Sequence, residues 1–239
     1  MTAYRLIAEA RTDLDVEAAV KWYENSQRVV DLRTHTPYLL IPESKLVCMA
    51  AYAPHLTLRD ARQRYFEHAG FGDGGYNDKW VRLKAEPLTL RFPNTKARLR
   101  AVKLHDLHHV LSEYDTSWSG EAEIGAWEIA AGCGRHYAAW LLNLGAIAVG
   151  LFVAPRAMYA AFLRGRKATN LYGGEFAEAL LERTVGEQRA ALGLNSMVRP
   201  TTWGDRVAFV GWTIVSVAWS LLPFVATTWL VLAAIRWLG

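Results

Sequence analysis

At 239 residues the chain has room for one large or two small domains. Apolar residues make up 52% of it, ten residues are tryptophan, the net charge is +4 and the pI is about 9.1. A mildly basic charge fits an anionic lipid surface as well as nucleic acid, but no basic run is interleaved with exposed aromatics as in a nucleic-acid module, so lipid is the expected partner and nucleic acid is not. The two cysteines, Cys48 and Cys133, fall in apolar helical patterns and read as buried free thiols of a reducing compartment. Met1 to Asp15 lacks an apolar core of signal-peptide length, so export by that route is not expected.

In chain order, Val16, Ala19, Val20, Tyr23 and Val30 form one stripe of a helix from Asp13 to Leu32. A connector from Thr34 to Pro42 leads to a short apolar helix from Glu43 to Tyr52 that carries Cys48. Thr57 to Asp60 reads as a capping box opening a helix to Ala69, which Gly70 ends. His55 and His68 read as ordinary polar positions. Gly70 to Asp78 holds four glycines and reads as a flexible loop, without the Lys-Ser/Thr of a phosphate cradle. Alternation from Lys79 to Phe92 around Pro87 predicts a small hairpin. Pro93-Asn94-Thr95 then caps a helix from Lys96 to Leu111.

That helix carries His105-Asp106-Leu107-His108-His109. His105 and His109 are one turn apart and share a face, the arrangement by which two imidazoles hold one metal. Asp106 is rotated by about 100° and reaches the same ion only from the edge of that face. An unbroken helix would carry Glu121 about 18 Å beyond His109. Tyr114 to Gly120, however, is a run of turn formers and N-cap residues, and a helix starting near Ser119 folds back and brings Glu121 level with the histidines. The expected centre is a divalent metal held by His105, Asp106, His109 and Glu121 across a helical hairpin, with zinc first and iron or manganese next. His108 points about a quarter turn off the ligand face and reads as a supporting residue. Glu128, two turns after Glu121, could substitute as a ligand but reads first as a solvated or supporting carboxylate.

Beyond the hairpin, Tyr137 to Ala154 is uncharged for eighteen residues. A span here would place the 136-residue head outside, so the segment reads as a buried helix or the floor of a lipid groove, with Gly145 and Gly150 permitting close packing. Val207 to Ile235 is 29 residues without a charge and reads as a membrane anchor, tilted or kinked at Pro223 or turned there into a re-entrant hairpin. Arg199 and Arg206 favour a cytoplasmic head, and Arg236-Trp237 falls at the far interface. The expected fold is mainly α, a helical bundle with the metal site on a hairpin and a C-terminal transmembrane helix. Its parts are a metal- and lipid-binding domain over 1–198, a linker over 199–206 and an anchor over 207–237.

His105-Asp106-x-x-His109, eleven residues and Glu121 together resemble the signature of the coenzyme Q biosynthesis protein 4 family. Val185 to Leu194 is similar to that family's closing Glu-x-Arg-x-x-Leu-Gly helix, here Glu187, Arg189, Leu192 and Gly193. The resemblance covers about Leu46 to Leu194, and the hydrophobic tail lies outside the family pattern. It implies a metal-dependent role in ubiquinone biosynthesis on a membrane-bound polyprenyl precursor, through oxidative decarboxylation or hydroxylation at ring C1, with the four ligands acting through the metal. It also implies other quinone-biosynthesis enzymes as partners, a bacterial or mitochondrial inner membrane as the location, and allows a homodimer. Two other readings use the same residues. One is a non-catalytic lipid-binding scaffold for a quinone-synthesis complex. The other is a His-Asp phosphohydrolase, which needs His68 and Asp115 as further ligands.

Overall fold

The computed structural model describes residues 52–85, 88–195 and 200–238. The expected helix from Asp13 to Leu32, the connector after it and Cys48 lie outside the described residues. In the described part the fold is mainly helical, with seven α-helices and one two-stranded hairpin.

Local chemistry sets the element ends. Thr57 caps α1 (Leu58–Ala69) by accepting from the Asp60 N–H, and Gly70 ends it in the left-handed region at φ 68°. The glycine segment then turns through positive φ at Gly72, Gly74 and Gly75. It is pinned at its far end, because Tyr76 donates its hydroxyl to Asp106 at 2.6 Å. Strands β1 (Trp80–Ala85) and β2 (Leu88–Pro93) pair antiparallel with Val81 opposite Phe92 and Leu83 opposite Leu90, the hairpin expected around Pro87.

Thr95 caps α2 (Lys96–Ser112), which ends at Glu113 in the left-handed region at φ 64°. From Leu104 to Ser112 every residue of α2 is buried except His105, which is partly so. Leu107, Val110 and Leu111 pack into one core with Leu58, Phe66 and Val185, while Ala101 and Leu104 pack into a second with Ile129, Ile147 and Phe162. The helix that carries the histidines is therefore clamped between two apolar layers. Its end is clamped too. Arg189, on α6 (Val185–Ala191), donates to the carbonyls of Leu111 and Val110 at 3.0 and 2.9 Å and pairs with Glu113 at 2.8 Å. Arg164 donates to the Ser112 carbonyl at 2.7 Å. These two guanidiniums satisfy the carbonyls a helix end leaves free.

The turn after α2 leads into α3 (Trp118–Ala131), capped by Ser117. A side chain at Gly120 would meet the Asp115 carbonyl oxygen at 2.1 Å, so a glycine there lets the turn close against the first turn of α3. Helix α3 packs on α4 (Tyr137–Val153) and α5 (Pro155–Gly165). Gly150 takes Met158 and Ala122 against its face, whereas Gly145 faces open space and is not a packing glycine. Helix α4, expected as a buried helix or the floor of a lipid groove, packs inward on one side and is exposed on the other.

Helix α7 runs from Trp203 to Leu238, 36 residues, unbroken through Pro223, so no re-entrant hairpin forms. It starts inside the expected linker, capped by reciprocal Thr202 and Asp205 bonds and tied to α5 through Arg166 and Asp205 at 3.2 Å. Ala208, Phe209 and Trp212 pack on the head, and the remainder projects, long and apolar enough to cross a membrane. From Val217 onward it measures about 33 Å at 1.5 Å per residue, matching a hydrocarbon core of about 30 Å.

Replacing Arg189 by alanine removes two charge-assisted bonds from the end of α2 and leaves Glu113 without this pairing. Arg189→Ala is expected to lower unfolding stability by about 2 kcal/mol, read as a lowered Tm in detergent; an unchanged Tm would show that α2 is held without this cap.

Candidate metal centre

The two ligand imidazoles are each fixed by the nitrogen that faces away from the site. His105 Nδ1 lies 2.9 Å from Glu128 Oε1, and His109 Nδ1 lies 2.9 Å from the Tyr114 carbonyl. Both partners are acceptors, so both Nδ1 atoms carry the proton and donate it, and each Nε2 is left with a lone pair. The two Nε2 atoms face each other at 3.1 Å. Two lone pairs at that distance repel unless a cation stands between them. A proton or a metal ion satisfies the pair.

Glu121 completes the group. Its carboxylate oxygens lie 3.6 Å from His105 Nε2 and 3.4 Å from His109 Nε2. A tetrahedral ion with bonds of about 2.0–2.1 Å sets its ligands about 3.3–3.4 Å apart, near the 3.1 Å between the two imidazole nitrogens, and each imidazole has a different Glu121 oxygen at a similar distance. His105, His109 and Glu121 can hold a metal ion, with ligand atoms all within 4.8 Å of one another. The electrostatics agree. Burial opposes charge on His105, yet Glu128 and Glu121 outweigh it and hold the imidazole well above its ordinary value. Burial likewise opposes charge on Glu121, and the neighbouring His105 and His109 outweigh it and hold the carboxyl far below the ordinary range. The site thus favours a positive charge where the three groups meet.

Asp106, the fourth expected ligand, is not in this group. It is buried, accepts the Tyr76 hydroxyl, and is raised by burial above its ordinary value despite that bond and the nearby histidines. The 100° offset from His105 that sequence spacing implies is the physical reason. His68 and Asp115 do not join either: Asp115 accepts the Ser117 N–H in the turn.

Behind the ligands lies the residue whose role sequence reasoning left open. Glu128 is fully buried and accepts from four side chains: His105 Nδ1, His108 Nδ1 at 2.6 Å, the Tyr172 hydroxyl at 3.0 Å and the Asn143 amide. His108 is fixed as a donor toward Glu128, because its Nε2 accepts the Leu171 N–H at 2.9 Å. Burial lowers His108 below its ordinary value, and the Glu128 contact does not offset this. Burial would raise Glu128, but the charge and hydrogen bonds of His105 and His108 hold it far below the carboxylate range. Tyr65 stacks on His109 at 5.3 Å and 17°, fixing the ring plane. His109 is buried, His105 partly exposed and the Glu121 side chain 40% exposed, so the centre opens on the His105–Glu121 side.

A cleft of about 150 Å³ lined by Leu99, Arg100, Lys103, His136, Glu175 and Phe176 lies elsewhere. Lys103 and His105 are about 200° apart around α2, so the cleft and the centre occupy opposite sides of the helix. No protein-family model, curated protein or solved structure matches the chain, and its functional reading rests on this geometry and on the sequence motif.

Two outcomes follow. Glu128→Gln is expected to weaken metal affinity by about 10–100-fold, measured by chelator competition, whereas Asp106→Asn leaves the metal stoichiometry unchanged; loss of metal in Asp106→Asn would make Asp106 a ligand after all. The folded-state value of Glu128 is depressed, so its contribution to stability is present above the ordinary carboxylate value of 4.5 and is lost as pH falls through the native value below it. The stability gap between wild type and Glu128→Gln is therefore expected to be full near neutrality and to close in acid; a gap independent of pH would contradict the charged assignment.

Proposed function

We propose that this chain is a membrane-anchored, metal-dependent enzyme acting on a polyprenylated aromatic precursor of a quinone. The observation that carries the metal is the facing pair of imidazole lone pairs beside Glu121. With three protein ligands rather than four, coordination positions remain for a substrate oxygen, which supports catalysis over a closed structural site. Two histidines and one carboxylate are the donor set of zinc hydrolases and of iron(II) oxygenases alike.

The membrane part of the reading rests on α7, and the polyprenyl quinone part on the His-Asp-x-x-His…Glu motif and the Glu-x-Arg-x-x-Leu-Gly helix. Arg199 and Arg206 ahead of the span support a cytoplasmic or matrix-side head in a bacterial or mitochondrial inner membrane. A prenyl tail stays in lipid while the aromatic head group enters from the His105–Glu121 side.

Bound by these residues, a divalent ion supplies Lewis-acid stabilisation of the head group's phenolate or carboxylate and, if iron, a route for oxygen chemistry. The chain's own residues do the positioning. Glu128 and the Tyr114 carbonyl hold both Nδ1 protons outward, Tyr65 fixes the His109 plane, and Tyr76 keeps Asp106 occupied away from the ligands. The reaction we assign is oxidative decarboxylation at ring C1: a para-hydroxybenzoic acid and dioxygen give a quinone, carbon dioxide and water. The C1–carboxylate bond breaks, a C1–oxygen bond forms, and dioxygen takes up the electrons.

Full-length protein in lipid nanodiscs, given a prenylated para-hydroxybenzoate under air, is expected to release carbon dioxide and form the quinone. His109→Ala is expected to reduce that rate by about 100-fold or more. Metal-loaded protein that turns nothing over while retaining quinone-synthesis partners on affinity capture would replace the enzyme by the scaffold reading.

A further inference from the structure

Helix α4 has its polarity inside out. Its amide side chain, Asn143, points inward to Glu128, while Leu141, Leu142, Val149, Phe152 and Val153 are exposed, Phe152 by 89%. No charge occurs in its 17 residues. A water-facing helix normally carries its polar side chains outward. A contiguous exposed apolar strip marks a surface that another medium covers.

The neighbouring element says which medium. Helix α4 packs against α7, with the Trp140 and Trp212 rings stacked at 5.2 Å. The exposed side of α7 is apolar from its first turns, with Val207, Val210 and Ile214 exposed beside that contact. The exposed apolar faces of α4 and of the head-proximal turns of α7 flank this contact, so a medium that covers those turns of α7 also reaches α4. The ends of α4 fit an interface: Arg135 and Tyr137 are exposed at its start and Arg156 just after its end, placed to meet headgroups while the strip between them enters the acyl boundary. At about 25 Å, α4 is too short to cross a core of about 30 Å, and its inner side is committed to Glu128.

We propose that the outward face of α4 is a membrane-docking surface, buried in the lipid interface, so that the head is held at two places: α7 across the bilayer and α4 on it. This rests on the reading of α7 as the anchor. It also places the metal hairpin one helix layer from lipid, because Asn143 of α4 binds the Glu128 that orients His105.

The test uses the full-length protein in nanodiscs of mixed zwitterionic and anionic phospholipid. The photoreactive variants Phe152→benzoylphenylalanine, Val225→benzoylphenylalanine and Phe71→benzoylphenylalanine are irradiated separately, and adducts are read by mass spectrometry. All three side chains are exposed, so the fold tolerates the larger ring. Acyl-chain adducts are expected at Phe152 and Val225 and none at Phe71. Adducts at Val225 alone would overturn the docking surface and leave the anchor standing. Adducts at neither would overturn the anchor with it. Chain-to-chain products at Phe152 would assign the face to a second copy of the protein instead.

Discussion

Removing a carboxylate from water costs several kcal/mol unless hydrogen-bond donors replace the water. Glu128 meets that cost with four donors drawn from three parts of the chain: His105 and His108 of α2, Asn143 of α4, and Tyr172 in the segment after α5. Its position on α3 makes it the point where the hairpin, the interfacial helix and the closing segment are tied together. Loss of any one of the four donors would leave a buried charge less fully solvated. The same bonds set the tautomer of His105, so the constraint that holds the helices in register also aims a lone pair at the metal position.

The rest of the fold serves that alignment. Helix α2 is packed on almost every side, and its C-terminal carbonyls are closed by Arg164 and Arg189, so His109 sits near an end that does not fray. The Asp115–Gly120 contact closes the turn, and Ser117 starts α3 at the phase that returns Glu121 to the histidines. On the proposed reading, the apolar exterior of α7 and of the outer face of α4 faces lipid while this polar interior lines the candidate metal centre.

Much of this is legible in the residues. Thr57, Thr95 and the turn after α2 are local signals, and they locate α1, α2 and the hairpin to within one or two residues. His105 and His109 are read from helix periodicity, and Glu121 from the turn. What the residues alone do not reveal has one cause. Whether Asp106 reaches the ions' side depends on Tyr76, thirty residues earlier, and whether Glu128 is solvated depends on partners fifteen and forty-four residues away. Arg189 is visible as part of a motif, but its task of capping a helix seventy-nine positions back is not. Helix α4 is apolar all round, so its sequence carries no sign of which face turns inward, and Asn143 alone hints at it.

The account depends most on the facing imidazoles being a metal site rather than a pair sharing a proton. Elemental analysis of the full-length protein purified in detergent, beside a His109→Ala variant of confirmed fold, tests this most directly. One equivalent of zinc, iron or manganese per chain, lost in the variant, is the predicted result. Protein that carries no metal after purification, and takes up none when offered these ions, would contradict it.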